Sequence, residues 1–164
     1  MLQDLTIGST SSSSEHGLSS AESADSDFSG RPVYERVATF VNALAESTRS
    51  EYNGTRSPYG AVGAVVGATW PTQLAELRQQ MPATWFLVPG FGAQGGTAAD
   101  ISAAFDDHGE GAIINNSRGI LFAYKKPEYA EFGASRWERA VEAATRKMID
   151  QLRTETTAGR LGTL

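Results

Sequence analysis

The alternation of two hydrophobic periods constrains this chain most. Three short runs are apolar on both faces: "YGAVGAVVGAT" at 59–69, "TWFLV" at 84–88 and "GAIINN" at 111–116. Runs of this length and composition predict buried parallel strands. The segments around them carry helical spacing instead. "RPVYERVATFVNALAEST" places Val33, Val37, Phe40, Val41 and Leu44 on one helical face, with Pro32 at its start. "WPTQLAELRQQM" does the same with Leu74, Leu77 and Met81, and Pro71 suits its first turn. "TAADISAAFDDHG" predicts a third helix, with Thr97 and Asp100 spaced as a capping box and Gly109 as a stop. "ASRWERAVEAATRKMIDQLRTE" predicts the last, with Ser135 and Glu138 as a second capping box and an apolar face of Trp137, Val141, Ala144, Met148 and Leu152. The order α-β-α-β-α-β-α implies an α/β fold, a parallel sheet with right-handed crossovers. Three strands leave both sheet edges open, so the pattern describes part of a larger sheet.

The totals narrow the function. The chain has 164 residues and a formal net charge of −5, so no basic field favours nucleic acid or an anionic membrane surface. It contains no cysteine, which removes thiol nucleophiles, disulfides and Cys-ligated metal. His16 and His108 stand too far apart in sequence for a paired metal motif. No apolar run approaches membrane-spanning length, and the first residues lack the basic and apolar zones of a signal peptide; the expectation is a cytoplasmic protein. Residues 9–30 are Ser-rich and acidic and predict a flexible surface segment.

Ligands of parallel α/β folds gather at the carboxyl ends of the strands. Three loops qualify: Gly67 to Pro71, Pro89 to Thr97, and Asn115 to Ile120. In the middle one, "PGFGAQGG", the glycines expose backbone N–H groups and the following helix is expected to add its positive end, which suits an anion. Gln94 can donate and accept hydrogen bonds there. In "NNSRG" Arg118 follows a strand directly, and its guanidinium fork matches a phosphate in charge and shape. Asn115, Asn116 and Ser117 add short polar groups.

Gly90, Gly92 and Gly95 also have the G-x-G-x-x-G spacing of a dinucleotide fingerprint. That reading needs an acidic residue at the end of the next strand, where Asn115 and Asn116 stand instead. A P-loop is excluded, since no Gly-Lys-Ser/Thr follows. His108, Asp4, Asp27, Lys125 and Lys126 lie in turns or polar segments and form no acid–base pair, nucleophile or metal cluster.

Taken together, "VVGAT-P", "FLVPG-GAQGG" and "NSRGI" resemble, in order and spacing, the orotidine 5′-phosphate decarboxylases, and most the longer bacterial subfamily. "LQDL" followed by "RPVYERVA" resembles the region between that family's fifth strand and fifth helix. The likeness covers residues 1–5 and 31–155. It implies the C-terminal part of a (β/α)8 TIM barrel, units six to eight with helix five in front. The implied organisation is an N-terminal segment over 1–30, a partial barrel over 31–157 and a tail over 158–164. It also implies conversion of orotidine 5′-phosphate to UMP and CO2, in pyrimidine biosynthesis, without cofactor or metal. By the same resemblance Gln94 contacts the phosphate and the pyrimidine side. Arg118 binds the phosphate with help from backbone N–H groups near Gly95, Gly96 and Ser117. Pro89 and Phe91 form part of an apolar wall near the base. Family members are commonly homodimers.

The family's catalytic Asp-x-Lys-x-x-Asp signature occurs nowhere in this chain; "YKKPEY" and "RKMID" do not fit it. The expectation is a phosphate-gripping portion, inactive alone. A binding half-barrel that docks with a separate N-terminal half, or with itself, is the alternative. An unrelated phosphosugar or dinucleotide enzyme is the third.

Overall fold

The computed structural model describes residues 30–52, 54–92 and 95–161, with Tyr52 described only in its backbone. The Ser-rich segment, "LQDL" and Gln94 therefore lie outside the described residues. Helix α1 spans Val33–Ser47. A small antiparallel hairpin, β1 (Glu51–Tyr52) and β2 (Thr55–Arg56), follows it. The main body then alternates: β3 (Gly63–Val65), α2 (Pro71–Gln80), β4 (Trp85–Pro89), α3 (Ala98–Ile101), β5 (Ala112–Asn115), α4 (Ser117–Leu121) and α5 (Trp137–Glu155).

Strands β3, β4 and β5 form one parallel sheet in that order, with β4 central. The register pairs Val65 with Leu87 and Leu87 with Ile113 on one face. It pairs Ala64 with Phe86 and Phe86 with Ala112 on the other. This second face holds the core. Val66, Phe86 and Val88 pack with Leu74 and Met81 from α2 and its end, Ile101 from α3 and Met148 from α5. Phe86 and Val88 are fully buried, and each such side chain contributes about 1.5–3 kcal/mol on leaving water. The open three-stranded parallel sheet, with helices between its strands, agrees with the expected portion of a barrel.

The two-faced apolar runs predict strands covered on both faces. Here one face is covered and the other is not: Val65 is 71% and Ile113 60% exposed, and Trp85 and Leu87 are also open. Both faces are apolar because such strands are made to be covered twice. Among the described residues the helices cover only one.

Three helices differ from expectation in detail. In α1 the buried residues are Ala38 and Ala45, with Val41 packed against the core, while Val37, Phe40 and Leu44 point outward. Small residues let the helix axis approach, so the docked stripe is rotated from the bulkiest one. The third helix is shorter than its pattern: α3 has four residues and tightens into a 3₁₀ turn at Ser102–Ala104. Its Thr97–Asp100 capping box forms in full. Gly109, at φ +84°, belongs to the later turn into β5. The Ser135–Glu138 box does not form. Ser135 sits in a 3₁₀ turn at Ala134–Arg136, and α5 begins at Trp137 without a side-chain cap. Its face is otherwise as expected, with Ala144 and Met148 buried, although Trp137 is exposed. Among the described residues no helix is long and apolar enough to cross a membrane.

Candidate functional site

Pro89 and Asn115 are register partners at the carboxyl ends of β4 and β5, so the two loops most suited to an anion leave the sheet side by side. Between them lies a cavity of about 180 Å³, lined by Pro89 to Phe91 and Asn115 to Arg118. Four of the sequence-predicted residues, Pro89, Phe91, Ser117 and Arg118, thus share one concavity. Gly95 and Gly96 lie in the same loop as Phe91.

The first loop is a pinned turn. Gly90, Gly92 and Gly95 all have positive φ. Gly92 N–H donates to Gly96 O at 2.8 Å and Gly95 N–H to Gly92 O at 3.1 Å. Phe91 forms a parallel bridge with Gly96 and is 5% exposed, its ring belonging to the core. The loop after β3 supports this turn from below. Ala68 N–H donates to Pro89 O at 2.9 Å, and a Cβ on Gly96 would stand 2.9 Å from the Ala68 methyl.

The positive end of α3 is not open to an anion as the sequence analysis expects. Asp100 Oδ2 already accepts from Thr97 N–H at 2.8 Å and from Thr97 Oγ1 at 2.7 Å. Those two bonds hold the Asp100 carboxyl below its ordinary range, the hydroxyl first and the N–H second. A capping box places its own carboxylate where the helix end is positive.

The second loop is also internally bonded. Asn115 Oδ1 accepts from Ser117 N–H at 3.1 Å and Ser117 Oγ at 2.8 Å. Asn116 is the N-cap of α4, its Oδ1 accepting from Gly119 N–H at 3.1 Å. Arg118 stands exposed in the first turn of α4 and has no salt-bridge partner among the described residues. A guanidinium held at the rim of a cavity, with no carboxylate on it, is available to an incoming anion.

His108 lies where expected, in the exposed turn before β5, its N–H donating to Asp106 Oδ1 at 2.8 Å. The capping roles of the two asparagines were not anticipated from the sequence. Their signal was present: Asn followed two or three residues later by a backbone donor is a common capping pattern.

No family model matches the chain. Curated relatives do. A protein of Rhodopirellula baltica named orotidine 5′-phosphate decarboxylase is 49% identical over 130 residues, covering 79% of this chain and 41% of that protein. One of Clostridium acetobutylicum with the same name is 37% identical over 124 residues, covering 76% and 40%. The chain spans about two fifths of the length of these relatives. Among solved structures, the UMP synthase of Leishmania donovani aligns at 35% identity and a TM-score of 0.45, over 71% of this chain and 22% of that one.

Proposed function

We propose that this chain, a relative of the orotidine 5′-phosphate decarboxylases over 79% of its length, is the phosphate-binding portion of such an enzyme. The carrying observation is Arg118, without a salt-bridge partner among the described residues, at the rim of the cavity between the β4 and β5 loops. In this reading the ligand is orotidine 5′-phosphate or UMP. Arg118 holds the phosphate, assisted by Gln94 and by backbone near Gly95, Gly96 and Ser117. Pro89 and Phe91 close the apolar side.

A phosphate grip serves decarboxylation indirectly. Binding energy from a part of the substrate that does not react holds the reacting part in place. The proton donor must come from elsewhere, because the Asp-x-Lys-x-x-Asp signature is absent from this sequence. We therefore propose that the chain alone binds nucleotide but forms no UMP.

Calorimetric titration with UMP tests the reading. Binding to the full chain is expected, and Arg118→Ala weakens it by about tenfold, the lower range for a charge-assisted hydrogen bond at an exposed position. Equal affinity of the variant, or tight NAD binding without UMP affinity, overturns it. UMP formation by the purified chain overturns the proposed inactivity.

One observation favours a second reading alongside the first. The uncovered apolar sheet face, Val65, Leu87 and Ile113, supports assembly with a separate N-terminal half-barrel. Co-expression with the preceding portion of the Rhodopirellula baltica relative is expected to give a co-purifying pair. A chain that stays monomeric in its presence counts against assembly.

A further inference from the structure

The two loops at the cavity are joined by one side chain to which the sequence resemblance gives no role. Asn116 sits between two glycines, one on each loop. On its own loop it accepts from Gly119 N–H, and Gly119 is packed so closely beneath it that a Cβ there would come within 2.1 Å of Asn116 Oδ1. Across the gap lies Gly92, at φ +66°, and a Cβ on it would stand 3.3 Å from Asn116 Nδ2. The same amide therefore packs against both loops: a Cβ at Gly119 is excluded by it, and one at Gly92 would press against it. Asn116 also lines two hollows: the cavity that holds Arg118 and a smaller one of about 130 Å³ between Gly92, Lys126, Lys147 and Gln151.

We infer that Asn116 is a positioning residue that locks the Gly92 turn to the start of α4, so that both loops present one phosphate-sized concavity. The inference rests on the phosphate reading above for its purpose, though not for its geometry. Arg118, two residues on, takes its direction from the α4 cap. The turn that carries Gly95 and Gly96 rests on the same amide through Gly92. Fixing both before the ligand arrives removes an ordering cost from binding.

Amide hydrogen exchange on the full chain, read by NMR, separates this role from simple helix capping. In Asn116→Ala, exchange at Gly119 is expected to speed up about fivefold, the usual worth of a cap. Exchange at Gly92 and Gly95, whose N–H groups hold the first loop, is expected to speed up with it. Acceleration confined to Gly119 shows a cap only and overturns the inference. Asn116→Ser is the second variant: Ser caps about as well as Asn but is too short to pack on Gly92, so Gly119 is expected to stay protected while Gly92 and Gly95 lose protection. It also carries the test if the alanine variant fails to fold. Protection at Gly92 and Gly95 unchanged in the serine variant overturns the inference. Adding UMP to the same samples judges the phosphate reading separately. Absence of UMP-induced shifts in the wild type counts against that reading while leaving the exchange result to decide the coupling.

Discussion

Arg78 offers the sharpest quantitative test of how the sheet is held. It stands in the last turn of α2, and its guanidinium reaches over the ends of β4 and β5 opposite the cavity. It donates to Thr84 O at 2.8 Å, just before β4, and to Gly111 O at 3.3 Å, just before β5. It also donates to Met81 O and lies 4.0 Å from the centroid of the buried Phe86 ring. Burial pulls this guanidinium below its ordinary pKa, with Tyr59 and Asp106 opposing. Arg78→Met keeps the aliphatic stem and removes the fork. Gly111 O keeps Phe86 N–H and Met81 O keeps Thr84 N–H, so neither is orphaned. Thr84 O loses its charged donor in a fully buried setting, worth about 1.5–3 kcal/mol. Loss of the ring contact adds about 0.5–1 kcal/mol. Methionine's easier burial returns part of this, so a destabilisation of about 1–3 kcal/mol is expected. Equilibrium urea unfolding followed by tryptophan fluorescence measures it, with an unchanged m-value. A change below about 0.5 kcal/mol, the level of an ordinary surface substitution, would refute the reasoning. Arg78→Lys retains the charge without the fork and is expected to recover less than half of the loss.

Tyr59 hydroxyl donates to Asp106 Oδ2 at 2.7 Å, and burial, followed by this hydrogen bond, raises the tyrosine pKa. For Asp106 burial acts upward, but hydrogen bonds from Glu110 N–H, Tyr59 hydroxyl and His108 N–H prevail and hold the carboxyl below its ordinary range. A depressed carboxyl stabilises the fold above the ordinary carboxylate range, and that contribution disappears as pH falls through the folded value. Tyr59→Phe is therefore expected to cost about 1 kcal/mol at neutral pH in chemical denaturation, with the gap from wild type narrowing in acid. A gap that widens in acid would contradict this assignment. Thr97→Ala removes both the hydroxyl donor to Asp100 and the acceptor for its N–H. NMR titration is expected to show the Asp100 carboxyl rising towards its ordinary value, and an unmoved carboxyl would rule out the capping box as its cause. The Arg118→Ala titration with UMP completes the set.

Some features follow from local chemistry and were legible without coordinates. The Thr97–Asp100 capping box needs only two residues three apart, and it forms. Pro71 and the Leu74 and Met81 spacing place α2, because proline at a first turn and a 3.6-residue period act within one segment. The runs around Phe86 and Ile113 mark strands. Arg118 after a strand marks the loop in which the cavity is found. The Ser135–Glu138 pattern has the same local form as the first box and fails. The chain enters α5 through a 3₁₀ turn after Gly133, which leaves Ser135 one residue too early to cap it.

The alternation of strand and helix, the strand ends where polar loops collect, and the kinship to a decarboxylase family were all readable along the chain. Each of these is written in residue type and spacing along the chain. Packing settled which stripe of α1 docks, because that depends on how closely Ala38 and Ala45 let two surfaces approach. It decided that one sheet face is covered and the other open, because coverage is a property of neighbours and not of strands. It also decided that Asn116 packs against both loops. That contact joins atoms whose distance is set by the parallel register of β4 and β5, which no local pattern encodes.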